Sequence, residues 1–147
     1  MSSSEEEYAP SPTGWVRDAV AKIVASGDTR SGQFNSSQPV VLLTMVGAKT
    51  GQLRKVPLMR VERDGKYLAV ASLGGAPKHP VWYYNLLADP KVSLQDGTET
   101  NEYVARELDG DERAEWWELA GQVFPNYLEY QQKTERLIPV FLLERVG

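Results

Sequence analysis

Between Trp15 and Ala25 the apolar residues Trp15, Ala19, Val20, Ile23 and Val24 recur near helical spacing, which predicts an amphipathic helix covering one side of a sheet. Gly27 to Gln38, rich in Ser, Gly, Asp and Asn, reads as a loop. Pro39 to Val46 is a short apolar, β-branched run of the kind that forms a buried strand. The turn residues Lys49 to Gln52 follow, and Leu53 to Val61 resumes a strand-like pattern interrupted by Pro57. A proline has no N–H for a central ladder, so Pro57 implies an edge or a bulge. Asp64-Gly65, between Val61 and Tyr67, is the strongest hairpin signal in the chain, because both central positions of a type I′ turn need positive φ. The next strand is Lys66 to Ala71.

Ser72 to Pro80 holds too much Gly and Pro for regular structure, and Val81 to Ala88 reads as a short helix stopped before Pro90. Lys91 to Gln95 and Glu102 to Leu108 form a further strand pair, with Asp96-Gly97 in the connecting turn. Asp111 to Val123 begins with an acidic first turn that suits the helix dipole, and Pro125 breaks it. A second helical piece runs from Asn126 to Arg136, and Ile138 to Val146 closes the chain as an apolar strand. About six antiparallel strands with few helices between them favour an α+β barrel over a doubly wound parallel sheet. Met1 to Pro12 is rich in Ser, Glu and Pro, lacks the apolar core of a signal peptide, and is expected to be a disordered tail. Residues 13–147 then make one domain.

Composition narrows the chemistry. The chain has 147 residues, no cysteine and one histidine, His79. Disulfides, thiolate catalysis and sulfur-ligated metals are thereby excluded, and no metal site is expected. The net charge of −4 argues against general nucleic-acid binding. Its distribution says more: Gly47 to Ala88 carries seven basic residues against two acids, +5, and the remainder carries −9. A positive zone in an acidic protein suits a small anionic ligand, and a solvated basic face is the competing account.

Two loops offer a phosphate site. Gly47-Ala48-Lys49-Thr50-Gly51 lacks the glycine spacing of a nucleoside-triphosphate loop, but it sets backbone N–H groups and Lys49, Arg54 and Lys55 within one short stretch. An exposed hairpin with solubilising charges is the alternative. In Ser72 to Lys78 the small residues let backbone approach a flat or phosphorylated ligand, unless the segment is a plain connector. Beside Pro80, His79 could be a general base or a helix-start residue. Trp82, Tyr83 and Tyr84 divide between core and pocket wall. Tyr127 and Tyr130 are three apart on a predicted helix and share a face, where their hydroxyls meet a substrate or their rings pack on the barrel.

With these pieces in order, the segment from Val40 to about Val146 resembles the deazaflavin (F420)-dependent nitroreductase family of actinobacteria. The likeness rests on LTMVGAKTGQLRKVPLM (Leu43 to Met59), VASLGGAPKHPVWYYNLLADPKV (Val70 to Val92) and FPNYLEYQQKTERLIPV (Phe124 to Val140). It implies a split β-barrel of the flavin-reductase and pyridoxamine-oxidase kind with flanking helices, and the coenzyme F420, an 8-hydroxy-5-deazaflavin, held in a basic groove. By this resemblance Lys49 and Arg54 contact the phosphate or anionic tail, with Lys55 beside them. Pro57, Ala71, Ser72, Gly74, Gly75, Ala76, Pro77 and Lys78 border the coenzyme, and Trp82 and Asn85 start the helix lining the site. Tyr127 and Tyr130 match tyrosines placed near the substrate, and Ser72 matches a serine that assists protonation. Leu73 and Phe124 stand where a relative carries lysine and tyrosine.

The expected activity is hydride transfer from reduced F420 to a quinone, activated alkene or nitroaromatic acceptor. A flavin-mononucleotide enzyme on the same barrel and a non-catalytic F420 carrier are the alternatives. A cytoplasmic protein is expected, without stable membrane insertion because no apolar run approaches the length of a membrane span, with peripheral membrane contact left open and, from the net charge, no nucleic-acid partner.

Overall fold

The computed structural model describes residues 8–11, 13–32 and 39–146. Among the described residues seven strands, β1 (Val40–Val46), β2 (Leu53–Met59), β3 (Glu62–Arg63), β4 (Lys66–Val70), β5 (Lys91–Asp96), β6 (Glu99–Glu107) and β7 (Val140–Arg145), form one sheet in the order β2-β1-β5-β6-β7-β4-β3. Every pairing between them is antiparallel. The α-helices of the described residues flank it: α1 (Gly14–Ser26), α2 (Val81–Ala88), α3 (Gly110–Val123) and α4 (Asn126–Gln132). Among the described residues, no helix is long and apolar enough to cross a membrane.

The two edge strands, β2 and β3, are consecutive in the chain and separated by Arg60 and Val61 alone. So short a link brings the two edges together at one end, and the sheet must curl to let them meet. The Leu68 N–H donates to Val61 O at 2.9 Å, continuing that contact one strand further. At the same end Asp96 Oδ2 accepts from Arg60 Nε at 2.8 Å and from the Tyr67 hydroxyl at 2.6 Å, which ties the end of β5 to the link between the two edges and to β4. The result is the expected α+β split barrel, a curled antiparallel half-barrel with helices on its flanks.

Strand periodicity sorts the core. Val41, Leu43 and Met45 of β1, Tyr67 and Ala69 of β4, and Phe141 and Leu143 of β7 point into the barrel, where Leu86 of α2 joins them. Their alternates, Leu68 and Val70 of β4 with Val140 and Leu142 of β7, pack outward against Trp116 and Ala120 of α3 and Tyr127 of α4. Val40 and Leu42 of β1 meet Val20 and Ile23 of α1. These strands are covered on both faces, which is why they read as continuous apolar runs rather than strict alternations.

Most predicted elements recur with small shifts. Pro57 lies on edge strand β2 and pairs with Leu42 in unbroken register, so the edge and not the bulge explains it. The Asp64-Gly65 turn has φ of 56° and 79°, as the hairpin requires. Three expectations need correction. β6 starts at Glu99 and not Glu102, because Asp96 pairs with Glu99 and the turn is the two residues 97 and 98. α4 stops at Gln132 and not Arg136, with the Lys133 N–H closing onto Glu129 O and Tyr130 O. The strand count is seven because β3, only two residues long, is too short to show a pattern. Of the expected tail, residues 1–7 and 12 lie outside the described residues. Within it, Ala9 runs beside β2, its N–H donating to Leu53 O at 2.8 Å.

Candidate active site

Away from the closed end, β2 and the chain beyond β4 separate, and a cavity of about 730 Å³ fills the gap. That volume is in the range of small-molecule and cofactor sites. One part of the lining is β2 from Arg54 to Met59, and a second is Val70, Ser72, Leu73 and Gly74. Ala9, Ser11, Trp15 and Val16 close one side, and the start of α2 with Phe124, Tyr127 and Tyr130 closes another.

The β2 wall carries the positive charge. Arg54 is half-buried and its Nη1 donates to Pro10 O at 3.3 Å, while Lys55 is buried, with Nζ 3.0 Å from Thr44 Oγ1 and 5.5 Å from the Tyr8 ring centre. Pro57, buried, continues this wall. Lys49 stands apart on the exposed turn before β2, outside the cavity lining. That turn is anchored to α2, since Asn85 Oδ1 accepts from the Ala48 N–H at 2.9 Å. Asn85 therefore has two tasks: it lines the cavity and it fixes the neighbouring loop.

The second part of the lining includes a short left-handed turn. Leu73, Gly74 and Gly75 have φ of 44°, 63° and 84°, a conformation natural to glycine and strained for leucine. Ser72 and Gly74 line the cavity, and the missing Gly74 side chain leaves open space beside it. Gly75 faces the other way, against α4, and Ala71, Ala76, Pro77 and Lys78 fall outside the lining. His79 stacks on Tyr83 with ring centres 4.3 Å apart, and its Nδ1 lies 3.0 Å from Arg136 Nη1. Burial and the Arg136 charge hold the His79 imidazole below its ordinary pKa. His79 lies outside the cavity lining.

The aromatic wall completes the site. Trp82 lines the cavity and packs 6.3 Å from the Phe141 ring. The Tyr127 ring sits 4.9 Å from Phe124 and 6.3 Å from Tyr130. Burial pushes the Tyr127 phenol above its ordinary value, and Tyr130 adds to the rise. At neutral pH Tyr127 is a protonated hydrogen-bond donor.

The structure thus brings Arg54, Lys55, Pro57, Ser72, Gly74, Trp82, Asn85, Tyr127 and Tyr130 to one cavity. It leaves Lys49, Ala71, Gly75, Ala76, Pro77 and Lys78 around its edge. Sequence reasoning missed the Trp15 and Val16 side of the wall and the contact of Arg136 with His79. No local pattern announces either, because each depends on where a distant segment returns. A basic edge, a wall opened by Gly74 beside the small side chain of Ser72, and a set of apolar and aromatic surfaces fit a flat redox coenzyme with an anionic tail.

Residues 15–145 match the family model described as F420H(2)-dependent quinone reductase. An F420H(2)-dependent quinone reductase of Mycobacterium tuberculosis is 37% identical over 110 residues, which span 73% of this chain and 74% of the relative. A solved structure of an F420-H2-dependent reductase is 59% identical, with TM-score 0.69 over 72% of this chain and 94% of that one. Another, described as a domain-swapped dimer, is 54% identical, with TM-score 0.72 over 91% of this chain and 100% of that one. At the level of fold alone, a Clostridium acetobutylicum protein of the pyridoxinephosphate oxidase family is 14% identical with TM-score 0.50, over 72% of this chain and 74% of that one.

Proposed function

The chain belongs to the F420H(2)-dependent quinone reductase family, and from that premise we propose how its own residues serve F420-dependent reduction of quinone-type acceptors. One observation carries the reading: the basic edge of β2 and the glycine turn beyond β4 line a single cavity that also holds two tyrosines. Reduced F420, when bound, supplies a hydride, which with one proton converts a quinone to its hydroquinone.

Arg54 and Lys55 hold the phosphate or anionic tail by charge-assisted hydrogen bonds. Gly74 and Ser72 give the ring a wall it can approach closely, and Trp82 supports it from α2. Trp15, Val16 and Phe124 keep water from the reacting face. Tyr127 and Tyr130 present hydroxyls to the acceptor oxygen, and Ser72 sits within the same cavity to assist the proton. Activated alkenes and nitroaromatic compounds are the further acceptors we assign to the site. Lys49, on its exposed turn, acts on the anionic tail beyond the cavity mouth.

The test is a turnover assay with reduced F420 and a panel of quinones, activated alkenes and nitroaromatics, following recovery of the oxidised coenzyme's absorbance. Acceptor-dependent oxidation is expected, with quinones among the substrates. Tight F420 binding without oxidation by any acceptor would leave a carrier protein instead. A yellow protein that retains flavin and ignores F420 would point to flavin mononucleotide.

A further inference from the structure

Arg136 lies outside the cavity lining, between α4 and β7, yet its guanidinium is aimed at the segment that forms the cavity's glycine wall. Nε donates to Ala76 O at 2.9 Å, Nη1 to Ala71 O at 3.2 Å and Nη2 to Ser72 O at 2.8 Å. Nη1 also meets His79 Nδ1 at 3.0 Å. A guanidinium offers five N–H donors in a rigid fork, so contacts this numerous commit the group to the protein and leave little for a ligand. The segment it grips needs holding, because Leu73 within it sits at φ of 44°.

The same arginine is fixed from behind. Gln131, next to Tyr130 on α4, donates from Nε2 to Arg136 O at 2.8 Å and accepts from the Ile138 N–H at 3.0 Å. The link therefore runs unbroken from the tyrosine helix through Gln131 and Arg136 to Ser72.

We propose that Arg136 is a positioning residue that holds residues 71–79 in register with α4. Ser72 and Gly74 on the coenzyme side, and Tyr127 and Tyr130 on the acceptor side, thereby face one cavity at a fixed separation. The proposal rests on the F420 reading for the ligand's identity, and on the hydrogen bonds alone for the clamp.

The experiment compares wild type, Arg136→Lys and Arg136→Ala by F420 titration, thermal melting, and kcat and KM for a quinone. Both variants are expected to melt cooperatively and to bind F420 about tenfold or more weakly, since one ammonium cannot serve three carbonyls in separate directions. Sub-denaturing guanidinium is expected to restore affinity to Arg136→Ala, and equal sodium chloride to restore none. Unchanged affinity and kcat in Arg136→Ala overturns the proposal, as does a loss that the two salts affect alike. If Arg136→Ala does not fold, wild-type behaviour in Arg136→Lys overturns it equally. Failure of wild type to bind F420 sinks the coenzyme reading and not the clamp. Trypsin cleavage after exposed Lys78 then decides the clamp by itself: faster cutting in Arg136→Ala than in wild type supports it, and equal rates overturn it.

Discussion

The side chain that Gly75 lacks would place its first carbon 2.8 Å from the carbonyl oxygen of Tyr130. Backbone thus meets backbone where the glycine turn crosses α4, and the helix carrying the cavity tyrosines is seated by that contact. The same glycine has φ of 84°. Gly75→Ala incurs both steric overlap and a left-handed backbone, so a loss of about 2–4 kcal/mol in unfolding free energy is expected. Gly74→Ala has open space around it and should lose only about 1 kcal/mol. Denaturant melts of the two variants check the contrast, and equal losses would deny the close approach.

Arg54 and Lys49 separate inner from outer electrostatics. Arg54 lines the cavity, so Arg54→Ala should weaken F420 binding about tenfold or more at any moderate salt concentration. Lys49 is exposed on its turn, and Lys49→Ala should cause a smaller loss that fades as salt rises above about 0.15 M. Isothermal titration at low and high salt reads both. Identical salt dependence for the two variants would contradict this division.

Tyr127 sets a pH signature. Its phenol is held neutral in the fold well above its ordinary value of 10.0, mainly by burial. Stability from this source is complete below pH 10.0 and is lost as pH rises from there through the folded value, because the unfolded chain ionises first. Melting temperature should therefore fall as pH rises above 10.0, less steeply in Tyr127→Phe than in wild type. At neutral pH the same variant should keep F420 affinity and lose about tenfold in quinone turnover, as one hydrogen-bond donor to the acceptor is removed. Parallel melting curves across that range would remove the buried phenol from the account.

How far these features could be read in the chain varies with their origin. Val81 to Ala88 was legible to the residue, since its helix is bounded by Pro80 and Pro90. Pro57 announced an edge and Asp64-Gly65 a hairpin, because each residue type permits few backbone states. Arg54, Lys55, Ser72 and Tyr130 were named from two loops and a helix, and the curl of the sheet brings those pieces together. In the sequence Arg136 marks only the end of a helical pattern. Its partners are backbone carbonyls some 60 residues away in the chain, as for Ala76 and Ser72, and a carbonyl leaves no mark in a sequence. Ala9 was likewise invisible, because what it meets is the unpaired backbone of an edge strand.

The central claim is that the β2 edge and the glycine turn hold F420 between them. Titrating the purified protein with F420 while recording coenzyme fluorescence tests this most directly. Saturable binding near one equivalent per chain is predicted, weakened in Arg54→Ala. A fluorescence signal that never departs from that of free coenzyme, up to saturating protein, would contradict it.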